Sequence, residues 1–349
     1  MNVVDLIRDN IRGLSPYVSA RDKYISGDLL DANENPFGSV GAKENPLALN
    51  RYPDPAQRAL RNSLGAYLDV DHARLFFGVG SDEIIDLLLR VFCQPARDAV
   101  AIFEPTYGMF RVAADVHGVE TKRFDLSEEF QLPAELPEEL KRGEAKLAFL
   151  CSPNNPVGPA LRKADVLNFA RKFEGIVVVD EAYIDFAPDA SVYRETAILP
   201  NLVVTRTFSK AWGLAGARCG YCVADPVVVD FLMKTKAPYS INKMTERAVL
   251  DALDRPEEKD EYVERIVAER ERLAAALRAI DAIETVFPSE ANFILVRTPG
   301  APALQKRMAE RGVIVRDRSS QPRLEDTIRI SVGTAEENDR MLEALKASL

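Results

Sequence analysis

The stretch TRTFSKAWGLAGARCG, residues 205–220, places a single lysine among groups that bind phosphate. Thr207 and Ser209 precede Lys210, small residues follow it, and Arg218 adds a second cation. Hydroxyl groups and a guanidinium donate hydrogen bonds to phosphate oxygens, and an amine beside them can form a Schiff base with a carbonyl carbon. The stretch therefore suggests pyridoxal phosphate, held covalently by Lys210. An ordinary Ser-Lys loop would show the same dipeptide, because short motifs recur by chance.

Chain length and charge limit the class of protein. The 349 residues exceed the length at which one hydrophobic core stops growing, so we expect two domains around one cleft. The formal net charge of -9 argues against nucleic acid or an anionic membrane as the main partner. No apolar run reaches the ~20 residues of a membrane span, and the N-terminus lacks a signal-type apolar segment, so we expect a cytoplasmic protein.

The cysteines lie in apolar runs, which is typical of buried, reduced thiols and not of a disulfide framework. They are Cys93, Cys151, Cys219 and Cys222. The last two form a C-x-x-C motif, but the sequence has no second pair, and its only histidines are His72 and His117. A zinc site is therefore not expected.

A strand and helix alternation begins near Arg74 and is typical of an α/β protein. It predicts strands at 75–79, 99–103, 119–124, 146–151, 175–179, 202–205 and 220–224, and helices at 84–92 and 164–173. The turn after the first strand is a candidate anion site, because Ser81 and Asp82 begin a helix whose free N–H groups attract negative charge. Plain helix capping explains the same two residues, but with Lys210 and Arg218 the phosphate role is favoured.

Polar residues also follow other predicted strands, where open α/β sheets bind their ligands. Tyr107 follows one strand, where its ring either stacks on an aromatic cofactor or packs against other side chains of the protein. Asn155 lies between two prolines in a stiff turn. Asp180 ends the fully apolar run 175–179, where a carboxylate is costly without a cationic partner. A protonated pyridine nitrogen would supply that partner.

Beyond Asp225 the sequence predicts a smaller α+β domain, with helices at 226–236, 243–253, 257–280, 304–310 and 336–345 and strands at 291–296, 313–315 and 327–332. Arg316 ends the second of these strands, and Arg329 lies within the third, on the face opposite Ile328 and Ile330. Arginines in short strands are usually surface residues. We expect an N-terminal arm and part of the small domain at 1–45, a large cofactor-binding domain at 46–236 and the small domain at 237–349.

Ten segments, in order, resemble the fold type I aminotransferases that depend on pyridoxal phosphate, and among them the histidinol-phosphate aminotransferases. The segments are LDANENPFG, RYPDP, GVGSDE, EPTY, SPNNPVG, DEAY, TFSKAWGLAGARCGY, ANFILVR, GVIVRDR and IRISVG. The resemblance implies a large domain with a mostly parallel seven-stranded sheet between helices, and a smaller α+β domain. It also implies a homodimer with shared active sites that transfers an amino group between L-histidinol phosphate and 2-oxoglutarate.

The resemblance implies cofactor roles for residues along the whole chain. Lys210 would be the Schiff-base lysine and proton carrier, Asp180 would pair with the pyridine nitrogen, and Tyr107 would stack on the ring. Asn155 and Tyr183 would hydrogen-bond the ring oxygen. The cofactor phosphate would contact Ser81, Asp82, Thr207, Ser209, Arg218 and, from the second subunit, Tyr52.

It implies substrate roles as well. Arg329 would bind the carboxylate of glutamate, and Arg316 with Tyr17 would face the far end of the substrate. Asn33, Tyr52 and Asn155 would complete the substrate site. These roles favour function over plain packing or exposure at Tyr107, Arg316 and Arg329.

Two departures from the family pattern are small. Val157 stands where a threonine is usual and Trp212 where a phenylalanine is usual, and neither removes a charge or a donor from a named site. They leave substrate selectivity open. The alternatives are an aromatic amino-acid aminotransferase, a threonine-phosphate decarboxylase that depends on the same cofactor, and a regulator without turnover, which would usually carry an added DNA-binding segment.

Overall fold

The fold is taken from a computed structural model, which describes residues 2–24, 26–41, 44 and 46–349. The strands in these residues are β1 Leu75–Gly78, β2 Ala99–Glu104, β3 Glu120–Asp125, β4 Leu147–Cys151, β5 Ile176–Asp180, β6 Leu202–Thr207, β7 Gly220–Val223, β8 Thr285–Val286, β9 Phe293–Arg297, β10 Arg316–Asp317 and β11 Thr327–Ser331. The α-helices are α1 Asp9–Arg12, α2 Ala20–Lys23, α3 Arg58–Leu68, α4 Gly80–Phe92, α5 Met109–Val116, α6 Glu138–Lys141, α7 Lys163–Lys172, α8 Pro226–Thr235, α9 Lys243–Leu253, α10 Pro256–Arg278, α11 Ala301–Glu310 and α12 Ala335–Lys346.

Seven strands form one sheet in the order β1-β7-β6-β5-β4-β2-β3. The neighbours from β6 through β5, β4 and β2 to β3 pair in parallel, and β7 is antiparallel to both of its neighbours. Every residue of β5 is buried, as expected for a central parallel strand covered on both faces. The predicted α/β fold with a mostly parallel seven-stranded sheet is confirmed.

The two faces of this sheet lie in two different hydrophobic cores. Val178 of β5 packs with Leu88 of α4 on one face. Its neighbours Val177 and Val179 pack on the other face with Phe169 of α7. Burial of each such side chain contributes about 1.5–3 kcal/mol. The cores thus fix the strands, so that the loops after the parallel strands meet at one edge of the sheet.

A second sheet has four antiparallel strands in the order β10-β11-β9-β8. Ile328 and Ile330 of β11 enter a core with Leu277 of α10 and Met308 of α11. Arg329 lies between the two isoleucines and points to the other face, because side chains alternate along a strand. The predicted orientation of Arg329 is confirmed.

The predicted strand at 313–315 is wrong. The helix α11 ends at Glu310, and the Val313 N–H bonds to the Met308 carbonyl in the turn that follows. Ile314 is 76% exposed, so the apolar run there is not a core strand. The strand is β10, which begins only at Arg316 and pairs with β11. The sequence did not predict strand β8 or the helices α1, α2, α5 and α6.

The start of the chain packs on the large sheet. Val3 and Ile7 are buried in the core that contains α4, and the Arg8 N–H donates to the Val91 carbonyl at 3.0 Å. Tyr17 follows in an irregular segment and is 75% exposed. The domain boundaries at residues 45 and 236 stay a prediction.

The four cysteines are buried and free, so their predicted burial is confirmed. In the part of the chain that the structure describes, no cluster of three or more His, Cys, Asp or Glu side chains is arranged to hold a metal ion. Among the described helices, none is long and apolar enough to cross a membrane.

Candidate active site

A cavity of about 280 Å³ lies where the parallel strands of the large sheet end. The first turn of α4 and the segments that follow β2, β4, β5 and β6 line one side of it. Arg318 and Arg329, from the small sheet, line the other. Residues far apart in the sequence therefore converge on one space, in the position where open α/β sheets bind ligands.

One end of the cavity has the groups of an anion site. Helix α4 begins at Gly80, and the Gly80 N–H donates to the Arg218 carbonyl at 3.1 Å. The Arg218 guanidinium lies 3.6 Å from the Asp82 carboxylate. The Thr207 hydroxyl, at the end of β6, lies 2.9 Å from the Ser209 hydroxyl on the loop that follows. The helix N-terminus, two hydroxyls and a guanidinium are the groups that bind a phosphate.

Gly80 is required at this end by its backbone and by its surroundings. Its φ is +74°, a left-handed conformation that residues with a Cβ rarely adopt. A Cβ on Gly80 would lie 2.7 Å from Arg218 Nη2. The absence of a side chain therefore lets the guanidinium lie directly against the first turn of α4.

Asp180 ends β5 on the floor of the cavity and is only 3% exposed. Its Oδ1 accepts hydrogen bonds from the Ala182 N–H at 3.1 Å and the Thr205 hydroxyl at 3.4 Å, and it has no ion pair among the described residues. Burial is the main reason that the pKa of Asp180 rises to about 7. A cation placed against Asp180 would restore its charged form.

Lys210 follows β6 and extends into the same cavity, with Nζ 5.4 Å from the centre of the Tyr183 ring. Burial, and next the positive charge of Arg329, lower the pKa of Lys210 below the usual lysine value. The amine thus has a larger neutral fraction than a surface lysine, as a nucleophile or a base requires.

Tyr183, Asn155 and Arg329 form a chain of hydrogen bonds across the cavity. Asn155 Nδ2 donates to the Tyr183 hydroxyl at 3.2 Å, and Arg329 Nη1 donates to Asn155 Oδ1. Burial raises the pKa of the Tyr183 hydroxyl above its ordinary value, so it stays protonated. This chain connects the small sheet to the large one through side chains that face the cavity.

Tyr107 lies on the wall next to the anion site. Its hydroxyl donates to Asp82 Oδ1 at 3.1 Å, and its ring packs edge-on against Phe110 with centroids 5.6 Å apart. Burial and the negative charge of Asp82 raise the pKa of the Tyr107 hydroxyl. The phenol is therefore a neutral donor beside the space that an aromatic ring could fill.

A buried ion pair behind the cavity holds the turn that carries Asp180 and Tyr183. Glu181 accepts from Arg206 Nη2 at 2.7 Å, from the Ser191 hydroxyl at 2.8 Å and from the Val192 N–H at 2.7 Å. Breaking a buried pair of this kind typically costs about 3–5 kcal/mol. The sequence analysis did not single out Glu181 or Arg206. The signal that could have identified them is a charged side chain next to a buried apolar run.

Eleven of the predicted site residues line this cavity together, ten of them on the side of the large sheet. They are Ser81, Asp82, Tyr107, Asn155, Asp180, Tyr183, Thr207, Ser209, Lys210 and Arg218, and Arg329 joins them from the small sheet. Arg316 does not line the cavity and is exposed, although it pairs directly with Arg329 across β10 and β11. Arg318 lines the cavity instead and was missed. The strand predicted at 313–315 does not extend to Arg318, so alternation along that strand did not reach this residue.

The three residues predicted from the N-terminal part lie elsewhere. Asn33 and Tyr52 line a separate surface cavity with Lys243, and Tyr52 stacks on Tyr239 with ring centroids 4.5 Å apart. Tyr52 is 49% exposed and Tyr17 75%. Within one chain, the structure does not bring these three residues to Lys210.

Comparison with known proteins agrees with this geometry. The model of the family "Aminotransferase class I and II" matches residues 26–345. A histidinol-phosphate aminotransferase of Parabacteroides distasonis is 42% identical over 98% of this chain and 97% of its own length, and one of Cytophaga hutchinsonii is 43% identical over 98% and 97%. The crystal structure of the histidinol-phosphate aminotransferase of Sinorhizobium meliloti in complex with pyridoxal 5'-phosphate is similar with a TM-score of 0.79, at 26% identity over 91% of this chain and 89% of that one. Strand-end chemistry, fold and full-length similarity lead to one conclusion, that the chain belongs to the class I and II aminotransferases and, among them, to the family of the histidinol-phosphate aminotransferases.

Proposed function

We propose that the protein transfers the amino group of L-histidinol phosphate to 2-oxoglutarate, giving imidazole-acetol phosphate and glutamate, as a step of histidine biosynthesis. The observation that carries this proposal is the cavity in which the buried Asp180 and the amine of Lys210 lie between an anion site and two guanidinium groups. The names of the full-length relatives support the same pair of substrates.

The cavity fits pyridoxal phosphate, the cofactor of this aminotransferase family. Asp180 is buried and has no ion pair in the described part of the chain, and a protonated ring nitrogen would supply its missing cation. Thr207, Ser209 and Arg218 would hold the phosphate together with the N-terminus of α4. When bound, the cofactor supplies a ring that withdraws electrons from the substrate carbon bearing the amine.

Five other side chains would complete the cofactor site. Ser81 and Asp82 lie in the first turn of α4, beside the residues that would bind the phosphate. Tyr107 would stack on the ring, and Asn155 with Tyr183 would donate hydrogen bonds to the ring oxygen. Because burial keeps the Tyr183 hydroxyl protonated, it can donate in this way.

Lys210 would hold the cofactor covalently between turnovers and move a proton during them. Its Nζ would take the proton from the substrate carbon that bears the amine. Burial and the guanidinium of Arg329 favour the neutral amine, which is the form that can accept a proton. Asp180 would keep the ring nitrogen protonated by holding a negative charge beside it.

The donor has a phosphate and no carboxylate, whereas glutamate has two carboxylates, so one site must accept both. In this proposal Arg329 binds the α-carboxylate of glutamate, and Arg316 with Tyr17 lies toward the far end of the substrate. Guanidinium groups suit this exchange because they bind phosphate and carboxylate alike, often bidentately. Asn33 and Tyr52 would complete the substrate site.

We also propose that the protein is a cytoplasmic homodimer whose partners are these small molecules and not nucleic acid or membrane. Tyr52 would enter the active site of the other subunit, which is consistent with its 49% exposure in the single chain. The net charge of -9 supports the exclusion of polyanionic partners.

The test is a rapid-mixing experiment with the purified holoenzyme and one amino donor at a time. L-histidinol phosphate, L-phenylalanine and L-threonine phosphate are compared by the rate at which each changes the absorbance of the bound cofactor. We expect conversion with L-histidinol phosphate to be the fastest, and the amino group to be recovered as glutamate after 2-oxoglutarate is added.

The other outcomes identify the alternatives. Faster conversion with phenylalanine would make the protein an aromatic amino-acid aminotransferase. Release of carbon dioxide from threonine phosphate would make it a decarboxylase. The absence of any absorbance band of bound cofactor would contradict the role of Lys210.

A further inference from the structure

The outer half of the cavity has unbalanced positive charge. At the inner end, Arg218 is near Asp82, and in the proposed function Asp180 pairs with the cofactor. On the outer side, Arg318 and Arg329 line the cavity, and Arg316 lies on the adjacent strand. Among the described residues, none of these three arginines has an ion pair with a carboxylate.

The side chains of Arg329 and Arg318 differ in their contacts with other residues of the protein. Arg329 donates to Asn155 Oδ1, and its guanidinium lies 5.2 Å from the centre of the Phe293 ring. Arg318 has a buried Nε with no hydrogen-bond partner in the described part of the structure. A buried, unsatisfied donor costs free energy, and the cost is larger for a charged group. Arg318 also lines the cavity and has no carboxylate partner among the described residues, so its guanidinium can pair with an anionic ligand there.

The backbone fixes Arg318 in this place. The Arg318 N–H donates to the Thr327 carbonyl at 2.9 Å, which extends the pairing of β10 with β11 by one step. Arg316 lies opposite Arg329 in the same ladder. Side chains two residues apart in a strand point to the same face, so Arg318 shares the face of both other arginines.

The adjacent carboxylate does not neutralise Arg318. Asp317 Oδ1 accepts from the Ser319 N–H at 2.9 Å and from the Ser319 hydroxyl at 2.6 Å, and it lies on the other side of the strand. Burial, followed by the positive charges of Arg329 and Arg316, lowers the pKa of Arg318 to about 10. An anion bound against Arg318 would offset both the free-energy cost of burying the guanidinium and its repulsion by the other two arginines.

We propose that Arg318 binds the phosphate group of the substrate directly and determines the preference of the site for phosphorylated donors. This inference rests on the proposed function and adds a residue to it. A phosphate carries about two negative charges and three acceptor oxygens, so it can bind a second guanidinium beside Arg329 or Arg316. A carboxylate is planar, carries one charge and is satisfied by a single guanidinium fork.

The experiment compares Arg318→Gln, Arg318→Lys and Arg340→Gln as holoenzymes. Arg340 is exposed on α12, outside the cavity, so its replacement makes the same change in net charge. Two quantities are measured for each variant: KM for L-histidinol phosphate and for glutamate, and the affinity for inorganic phosphate by calorimetry. Thermal unfolding establishes that each variant is folded. If Arg318→Gln does not fold, the same measurements are made on Arg318→Lys.

We expect Arg318→Gln to raise KM for L-histidinol phosphate about 10- to 100-fold, the usual effect of losing a hydrogen bond between charged groups. KM for glutamate should change less than about threefold, phosphate affinity should fall in parallel with the donor effect, and Arg318→Lys should be intermediate. Arg340→Gln should resemble the wild type. Equal effects on both substrates, or none on either, would overturn the inference. If the wild-type enzyme does not use L-histidinol phosphate, the proposed function fails, and phosphate affinity alone still decides the role of Arg318.

Discussion

At the scale of single residues, Asp180 determines how the site responds to pH. Its pKa in the folded protein is about 7, against 3.8 for an ordinary aspartate. The folded protein therefore holds this proton more tightly than the unfolded chain does. The stability contributed by the protonated carboxyl is fully present below about pH 4 and is lost as the pH rises through 7. A bound cation would reverse this dependence by favouring the carboxylate.

The first prediction concerns Asp180→Asn in the cofactor-free protein. Because asparagine cannot ionise, the variant should gain stability over the wild type as the pH rises from 4 to 8, by on the order of 2–4 kcal/mol. Urea unfolding at several pH values measures the difference. The same variant with cofactor should lose most of its turnover. Stability curves that stay parallel from pH 4 to 8 would show that Asp180 is not the titrating group.

The sequence predicted site residues where a chemically distinctive side chain stands in a recognisable sequence pattern. Asp180 was predicted because it ends an apolar run typical of a buried strand, and Lys210 because hydroxyls and a guanidinium surround it in the sequence. Both line the cavity. Arg318 was missed because its orientation depends on the pairing of β10 with β11. That pairing joins segments separated by a loop, and a strand of two residues has no pattern of its own.

At the scale of secondary-structure elements, the first turn of α4 has no room for a side chain at its first residue, Gly80. The helix begins at a glycine with positive φ, and the strand β7 that follows Arg218 lies against the same turn. The anion site is thus formed by backbone groups of two segments, and the side chains that complete it depend on their close approach.

The second prediction tests this turn with Gly80→Ala. The new methyl group would strain a left-handed residue and displace the Arg218 guanidinium, so the dissociation constant of pyridoxal phosphate should rise about tenfold or more. Fluorescence titration of the cofactor-free protein measures it. Gly216→Ala is the matched control, because a Cβ there meets no atom within 4 Å. Equal cofactor affinity in both variants would show that the turn tolerates a side chain.

Long elements were easier to predict than short ones. Helix α9 has the predicted bounds, Lys243–Leu253, and α10 differs from its prediction by one or two residues at each end. The strand predicted at 313–315 failed because Val313 and Ile314 resemble a core strand in composition, while the strand pairing with β11 begins only at Arg316. The conformation of that segment is set by the end of α11 and by pairing further along the chain.

At the scale of the whole molecule, the residues predicted for a shared site lie at the surface of the single chain. Tyr17 and Tyr52 are exposed, as are Leu30 at 86% and Phe37 at 97%. Exposed apolar side chains concentrated in one segment are typical of a surface that another chain covers. No pattern within one sequence states which subunit completes a site, so only the resemblance predicted these contributions.

The third prediction is complementation between an inactive variant and a weakened one. Lys210→Ala removes the amine from its own site, and Tyr52→Ala should weaken the site of its partner. If sites are shared, a hybrid dimer contains one intact site, so mixing and reassembling equal amounts should restore roughly a quarter of wild-type activity. Sedimentation establishes the dimer. No recovery from the mixture, or a fully active monomer, would contradict sharing.

The hydrogen-bond chain from Arg329 through Asn155 to Tyr183 has a consequence for the colour of the holoenzyme. In the proposed function its two ends contact the substrate anion and the ring oxygen of the cofactor. An anion that pulls on the guanidinium would then change the proton affinity of the chromophore before any bond is broken. Thermodynamic linkage makes this influence mutual, so the protonation state of the chromophore would alter anion affinity by the same factor. The optical spectrum of the protein would thus report occupancy of the substrate site as well as chemistry within it.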